Sequence, residues 1–228
     1  MKYIYLLIPG GIFAMVLQIF GNTGRKKWAI VFKFLASAMF VLLCVLSGRH
    51  CSKPLFFRYV LLAQIFGAAG DVVLAVRHSL RRKSVYFYIG GSLFYIGHLF
   101  FIIAFLNRTG DRMDLLKYII SAVIVDLIIA VIMDTMIRSY THKSYRVLCC
   151  GYIITIATAV VFSFGTFIAE VFSLGNLLFM IGSAGFLSSD MILITNEMKP
   201  KKKRLAGDIL IALYYGGQFF IALSLQAI

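Results

Sequence analysis

The chain is poor in charged residues, and most of the charge that it carries is of one sign. Only 14% of its 228 residues are charged, and nine acids stand against 23 Lys and Arg. Hydrophobic residues make up 61% of the sequence, well above the roughly 45–50% of a soluble domain. These proportions exclude an ordinary soluble enzyme. They indicate an all-α, polytopic integral membrane protein.

Cysteine and proline are also scarce. The four cysteines, at positions 44, 51, 149 and 150, lack metal-ligand spacing such as a pair of C-x-x-C motifs, so we predict free thiols. We expect neither a metal nor a cofactor.

The three prolines lie outside the polar spans, which argues against the broken helices of many transporters. The first apolar run ends without a small-residue cleavage site, so it is predicted to be the first span rather than a signal peptide.

Long apolar runs alternate with short charged segments. Runs of about 17–25 residues predict about eight transmembrane helices. Their approximate bounds are 3–20, 28–47, 59–76, 85–106, 117–136, 147–166, 171–194 and 205–225. Because the connections are short, we expect a single transmembrane domain over residues 1–228 and no soluble domain.

The basic residues are distributed unevenly between the two sides of the membrane. Odd-numbered loops carry fifteen Lys and Arg, whereas the N-terminus and the even-numbered loops carry seven. The positive-inside rule therefore predicts cytoplasmic odd loops and extracytoplasmic termini. We expect the protein to lie in the cell (plasma or inner) membrane. Basic loops of this kind set orientation and contact membrane lipids, so we expect no nucleic-acid partner.

Two aspartates lie inside predicted spans, Asp71 in the third and Asp190 in the seventh. A carboxylate in hydrocarbon costs at least ~2.5–3.5 kcal/mol on insertion scales and usually marks a functional site. Two carboxylates in one low-dielectric pocket cannot easily both ionise, so one is expected to hold a proton. Such a pair supplies a general acid and a general base, although the sequence does not say which is which. The alternative is two structural aspartates bonded to Lys33 and to tyrosine hydroxyls.

Other polar residues share the depth of the two aspartates. At 1.5 Å per helical residue, Asp71 and Lys33 lie about 9 Å, and Asp190 about 14 Å, from the basic ends of their spans. Tyr214 and Tyr215 lie roughly 15 Å inside the eighth span by the same rise. We therefore predict a polar pocket that opens towards the cytoplasmic leaflet.

The remaining polar residues of the spans are less informative. His98 in the fourth span suits substrate orientation, proton transfer or a structural hydrogen bond in the core. Gln218 shares a helix face with Tyr214 at spacing i, i+4, so it lines the pocket or joins helices. Asp134 lies within reach of the interface and is interpreted as structural, while Asp126 is deeper and has no evident partner.

Taken in order, these residues resemble the YhhN family of lysoplasmalogenases, and the resemblance covers essentially the whole chain. The matching positions are Lys33 in the second span, Gly70 and Asp71 in the third, Phe87, Gly90, Phe94 and His98 in the fourth, Ser189 and Asp190 in the seventh, and Tyr214, Tyr215 and Gln218 in the eighth. The chain departs from the family pattern at Phe34, where a proline is common, and at Phe101, where an aromatic hydroxyl is common.

The resemblance implies hydrolysis of the vinyl ether bond of lysoplasmalogens to a fatty aldehyde and glycerophospho-ethanolamine or -choline. It implies a catalytic pair of Asp71 and Asp190 and a lyso-ether phospholipid as the substrate. The substrate-binding residues would be Lys33, His98, Ser189, Tyr214, Tyr215 and Gln218. The reaction requires protonation of the β-carbon and attack by water, which an acid and a base can supply without a metal or a redox cofactor.

Other classes use acids within the membrane. Intramembrane aspartyl proteases carry Gly-x-Gly-Asp and Tyr-Asp, whereas this chain has Ala-Ala-Gly before Asp71 and Ser-Ser before Asp190, so both signatures fail. A proton- or cation-coupled transporter remains an alternative. So does a membrane protein that binds lipid without turning it over.

Overall fold

The computed structural model describes residues 2–77, 83–108, 112–170, 172–199 and 203–228. The chain is 88% helical, and the described residues contain no strand. A 3₁₀ turn at Ile4–Leu6 precedes helices α1 (Leu7–Asn22), α2 (Lys26–Gly48), α3 (Pro54–Val76), α4 (Lys83–Arg108), α5 (Arg112–Ile137), α6 (Lys143–Ala169), α7 (Leu174–Met198) and α8 (Arg204–Ser224). Eight helices in this part of the chain are long and apolar enough to cross a membrane. The prediction of an all-α polytopic membrane protein is confirmed.

The helix ends follow local sequence signals. Pro54 begins α3, five residues before the predicted span, because proline is tolerated in the first helical turn. Ser173 caps α7 by accepting a hydrogen bond from the backbone N–H of Asn176. Gly24 turns the chain between α1 and α2 with a φ of 74°, a conformation that glycine adopts without strain. Parts of two predicted basic loops lie outside the described residues, namely Arg81, Arg82, Lys201 and Lys202.

Two helix pairs pack together more extensively than the others. α3 packs along α4, and α7 packs along α8, while α2 contacts α1, α3 and α8, and α6 contacts α4, α5 and α7. The α7–α8 contact is made backbone to backbone. A Cβ atom at Gly182 would lie 2.7 Å from the carbonyl oxygen of Gly217, and one at Gly217 would lie 2.6 Å from the carbonyl oxygen of Gly182. In lipid, small residues of this kind let helices approach closely enough to gain packing energy.

At the end of the bundle that holds the α2–α3, α4–α5 and α6–α7 connections, Glu170 joins three helices. Its carboxylate accepts hydrogen bonds from Lys53 at 2.7 Å, Arg108 at 2.5 Å and Asn176 at 3.0 Å. Burial by itself raises the pKa of the Glu170 carboxyl, but these donors outweigh burial and lower the pKa to about 2. The cluster holds the ends of α3, α4 and α7 together. It lies at the opposite end from the Arg77–Glu197 ion pair, where the odd-numbered loops lie.

Candidate active site

Asp71 lies on α3, and its carboxylate accepts from three donors on two other helices. Lys33 on α2 places its Nζ 3.1 Å from Oδ1, while Ser37, one turn further along α2, donates to Oδ2 at 2.6 Å. Tyr214 on α8 donates to the same Oδ2 at 2.8 Å. Asp71 is 2% exposed, so these contacts compensate for water that the carboxylate has lost. Three helices therefore meet at one carboxylate.

The other predicted residues of α8 pack beside this cluster. Tyr215 donates to the backbone carbonyl of Lys33 at 3.4 Å, so it holds α8 against α2. The backbone carbonyl of Gln218 accepts from Gln64 Nε2 at 3.1 Å. The side-chain Oε1 of Gln218 is buried and has no hydrogen-bond partner among the described residues. A buried acceptor without a partner is costly, which makes this oxygen a candidate for binding a hydroxyl group.

Asp190 on α7 has a different set of neighbours. Tyr152 on α6 donates its phenolic hydrogen bond to Oδ2 of Asp190. His98 on α4 places Nε2 3.9 Å from the same oxygen and 3.4 Å from the Tyr152 hydroxyl. Ser189 donates mainly to the carbonyl of Phe186 within its own helix, at 2.7 Å. Asp190 is 5% exposed and, unlike Asp71, has no lysine or arginine within ion-pair distance in the described structure.

Three aromatic rings separate the two carboxylates. Tyr214 packs against Phe186 with centroids 5.1 Å apart and against Phe94 at 6.0 Å, and both contacts are edge-on. Within the described part of the chain, no hydrogen bond or ion pair joins Asp71 to Asp190. The Tyr214 hydroxyl nevertheless donates to Asp71, and Phe186, which packs against the Tyr214 ring, lies one helical turn before Asp190 on α7. The two acids thus form two hydrogen-bonded clusters around one aromatic partition.

A groove leads from the outer surface of the helix bundle to the Asp190 cluster. Its volume is about 400 Å³, and it runs mainly between α4 and α6. Phe94 and Tyr152 line its inner part, whereas the exposed side chains of Tyr88, Tyr95 and Val147 line its outer part. Leu74, Phe87, Gly91, Ser92, Tyr145, Leu148, Cys149, Gly151, Leu193 and Ile194 complete the lining. Because these side chains are mostly apolar, the groove suits a hydrocarbon chain that enters from the lipid.

The predicted site residues divide between the two clusters. Those found around Asp71 are Lys33, Tyr214 and Tyr215, with Gln218 beside them, and those found around Asp190 are His98 and Ser189. Ser37 and Tyr152 were not predicted, although both contact a carboxylate. Tyr152 lies nine residues inside α6, the same count that separates Asp190 from Lys199, so comparison of depth was a signal that could have found it.

The weaker acids lie away from the site. Asp134 pairs with Arg146, with Nε and Oδ1 3.1 Å apart, in agreement with its interpretation as structural. Asp126 accepts a hydrogen bond from Thr158 at 2.8 Å, which supplies the partner that the sequence did not reveal. No group of three or more metal-ligating side chains was found in the described ranges.

Comparison with known proteins gives a single result. The model of the YhhN family matches residues 28–225, from the start of α2 to the end of α8. No curated protein and no solved structure matches the chain. The matched range contains Asp71, Asp190 and every contact described above for them.

Proposed function

The chain belongs to the YhhN family, and from this premise and the geometry of the site we propose that it is a lysoplasmalogenase. Its substrate would be an alkenyl-lysophospholipid, and its products a fatty aldehyde and glycerophospho-ethanolamine or -choline. The observation that carries the proposal is the position of Asp190, a buried carboxyl bonded to Tyr152 at the inner part of an apolar groove that opens to the lipid. Intramembrane acids in such cavities are functional sites by default.

The different neighbours of the two aspartates support different functions for them. Asp71 accepts from an ammonium group and two hydroxyls, a set of donors that suits an anion. Asp190 has the Tyr152 hydroxyl and the His98 ring as its nearest polar partners. We therefore assign the proton-carrying carboxyl to Asp190 and the carboxylate to Asp71.

The proposed reaction begins with transfer of the Asp190 proton to the β-carbon of the vinyl ether. The double bond supplies the electron pair for the new C–H bond, which leaves an oxocarbenium ion at the α-carbon. The negative charge left on Asp190 stabilises this cation, and so does the carboxylate of Asp71 across the aromatic partition, although Lys33 offsets part of its charge. Water adds to the α-carbon and returns one proton to Asp190. The hemiacetal then collapses, so that the α-carbon leaves as an aldehyde and the glycerol oxygen leaves as an alcohol, with one water consumed.

The buried Oε1 of Gln218, on the Asp71 side of the aromatic partition, is an acceptor without a partner in the described structure. A water molecule or a hydroxyl group bound there would satisfy it. With the odd-numbered loops in the cytoplasm, as the positive-inside rule predicts, the groove would open to the cytoplasmic leaflet and both termini would lie outside.

Deuterium labelling tests the proposal. The purified protein is incubated in heavy water with 1-alkenyl-lysophosphatidylethanolamine, and the aldehyde is analysed by mass spectrometry. Protonation of the β-carbon predicts one deuterium at the carbon next to the aldehyde. The saturated 1-alkyl ether is the control substrate, because it has no double bond to protonate and should give no product. An aldehyde without deuterium would refute the proposed first step.

A further inference from the structure

An ion pair lies at the end of the groove that faces the odd-numbered loops. Arg77 at the end of α3 donates from Nη2 to Glu197 Oε1 on α7 at 2.8 Å, and their side chains are 10% and 22% exposed. The Arg77 guanidinium lies 4.9 Å from the ring centroid of Phe87, which lines the groove. Leu74 and Ile194, also in the lining, each precede a member of the pair by one helical turn. The ion pair is not itself part of the lining, but it borders the end of the groove nearest the odd-numbered loops, which we call the mouth.

Helix α6 runs from the mouth of the groove to the Asp190 cluster. Tyr145 lines the groove and interacts electrostatically with both Arg77 and Glu197. Tyr152, which bonds to Asp190, lies seven residues further on, or about 10 Å along the helix axis. A ligand that fills the groove thus meets one cation and one anion at the mouth and a carboxyl at the inner part. The glycerol and phosphate of a lysophospholipid bridge such a separation.

Resting on the proposed lyso-ether lipid substrate, we propose that Arg77 and Glu197 form a subsite for a zwitterionic phospholipid head group. Arg77 takes the phosphate, and Glu197 takes the ammonium of the ethanolamine or choline. The head group then lies at the interface and the alkenyl carbons lie beside Tyr152. This subsite selects zwitterionic lysophospholipids over anionic ones of the same chain length.

The selection follows from the charges of the pair. When a zwitterionic head group binds, its phosphate lies beside the arginine and its ammonium lies beside the glutamate. Each partly buried charge of the pair therefore keeps an opposite charge next to it. A lysophosphatidic acid brings phosphate without an ammonium, and its negative charge is repelled by Glu197. Repulsion of this kind gives specificity because it weakens binding of the anionic lipid and leaves binding of the zwitterionic lipid unchanged.

Binding of lipids that cannot react tests the subsite apart from catalysis. The ligands are 1-alkyl-lysophosphatidylethanolamine and 1-alkyl-lysophosphatidic acid, titrated into the full-length protein in detergent. The wild type is expected to prefer the first. Glu197→Gln should weaken ethanolamine-lipid binding by about tenfold and leave or strengthen phosphatidic acid binding. Arg77→Gln should weaken both lipids. The control is Asp134→Asn, which breaks another ion pair at the same end of the bundle, between α5 and α6, without changing a residue that lines the groove. It should bind both lipids as the wild type does.

Two results would overturn the subsite: equal binding of the two lipids by the wild type, or an equal loss of both in Glu197→Gln. If a single variant does not fold, the double variant with Arg77→Glu and Glu197→Arg keeps an ion pair of reversed direction. It should bind the ethanolamine lipid at least about tenfold more weakly, and wild-type affinity in it would contradict the subsite. If the protein selects between the two head groups but releases no aldehyde, only the proposed hydrolase activity is refuted. If it releases aldehyde but does not select between the head groups, only the subsite is refuted.

Discussion

Tyr152 on α6 donates its phenolic hydrogen bond to Asp190 on α7, beside the groove that opens to lipid. This contact joins the groove to the carboxyl that we assign as the acid. Lys33 makes the corresponding contact with Asp71, 3.1 Å away, from α2. One aspartate is therefore held by a hydroxyl next to the groove and the other by an ammonium on the far side of the aromatic partition. The difference between these partners is the basis for assigning two functions to two otherwise similar residues.

Removing the Tyr152 hydroxyl should reduce catalysis more than binding. Tyr152→Phe keeps the ring that packs on His98 and removes the hydrogen bond to Asp190. We expect kcat to fall by about 10- to 100-fold with little change in KM, because the orientation of the acid matters most in the transition state. Steady-state aldehyde release measures both constants. Tyr95→Phe is the matched control in the outer part of the groove, and equal rates in the two variants would contradict the function of Tyr152.

Close packing of α7 against α8 should make Gly217 intolerant of a side chain. A Cβ atom there would lie 2.6 Å from the carbonyl oxygen of Gly182, so Gly217→Ala should destabilise the protein by about 1–3 kcal/mol through overpacking. The neighbouring Gly216 has open space around its Cβ position, so Gly216→Ala should be neutral or slightly stabilising. Thermal unfolding in detergent compares the two. Equal stability of both variants would show that the backbones do not approach as described.

The Glu170 cluster should make stability depend on pH in the acid range. The pKa of the Glu170 carboxyl is lowered from 4.5 to about 2 by its hydrogen bonds from Arg108, Lys53 and Asn176, which outweigh the opposing effect of burial. A carboxyl with a lowered folded-state pKa stabilises the fold fully above its unfolded pKa and loses this effect as the pH falls. Glu170→Gln should therefore lower Tm at neutral pH and flatten the decline of Tm between pH 4.5 and 2. An unchanged pH dependence in the variant would contradict the cluster.

The sequence predicted the architecture well because the membrane imposes a simple rule on it. A span needs a long apolar run, and each helix of the structure coincides with such a run. The predicted third span begins at residue 59, directly after Arg58, whereas a long basic side chain near a helix end can reach the interface from within the helix. The helix therefore extends back to Pro54.

The site was predicted only in part. Depth along a helix can be counted from the sequence, and it placed Lys33, Asp71 and Tyr214 in the same half of the bilayer. The rotation of each helix cannot be counted in the same way, because an apolar run in lipid has no polar face to mark its orientation. For this reason the separation of the two carboxylates by Phe94 and Phe186, and the pairing of Tyr152 with Asp190, emerge only from the packed structure.

Aldehyde release from 1-alkenyl-lysophosphatidylethanolamine is the most direct test of vinyl ether hydrolysis by the two aspartates. The purified wild type is compared with Asp71→Asn and Asp190→Asn, and folding of all three is checked by thermal unfolding. We expect aldehyde from the wild type and a loss of at least about 100-fold in each variant. A folded wild type that releases no aldehyde between pH 5 and 8, or an Asp190→Asn variant that retains full activity, would contradict vinyl ether hydrolysis by this pair of aspartates.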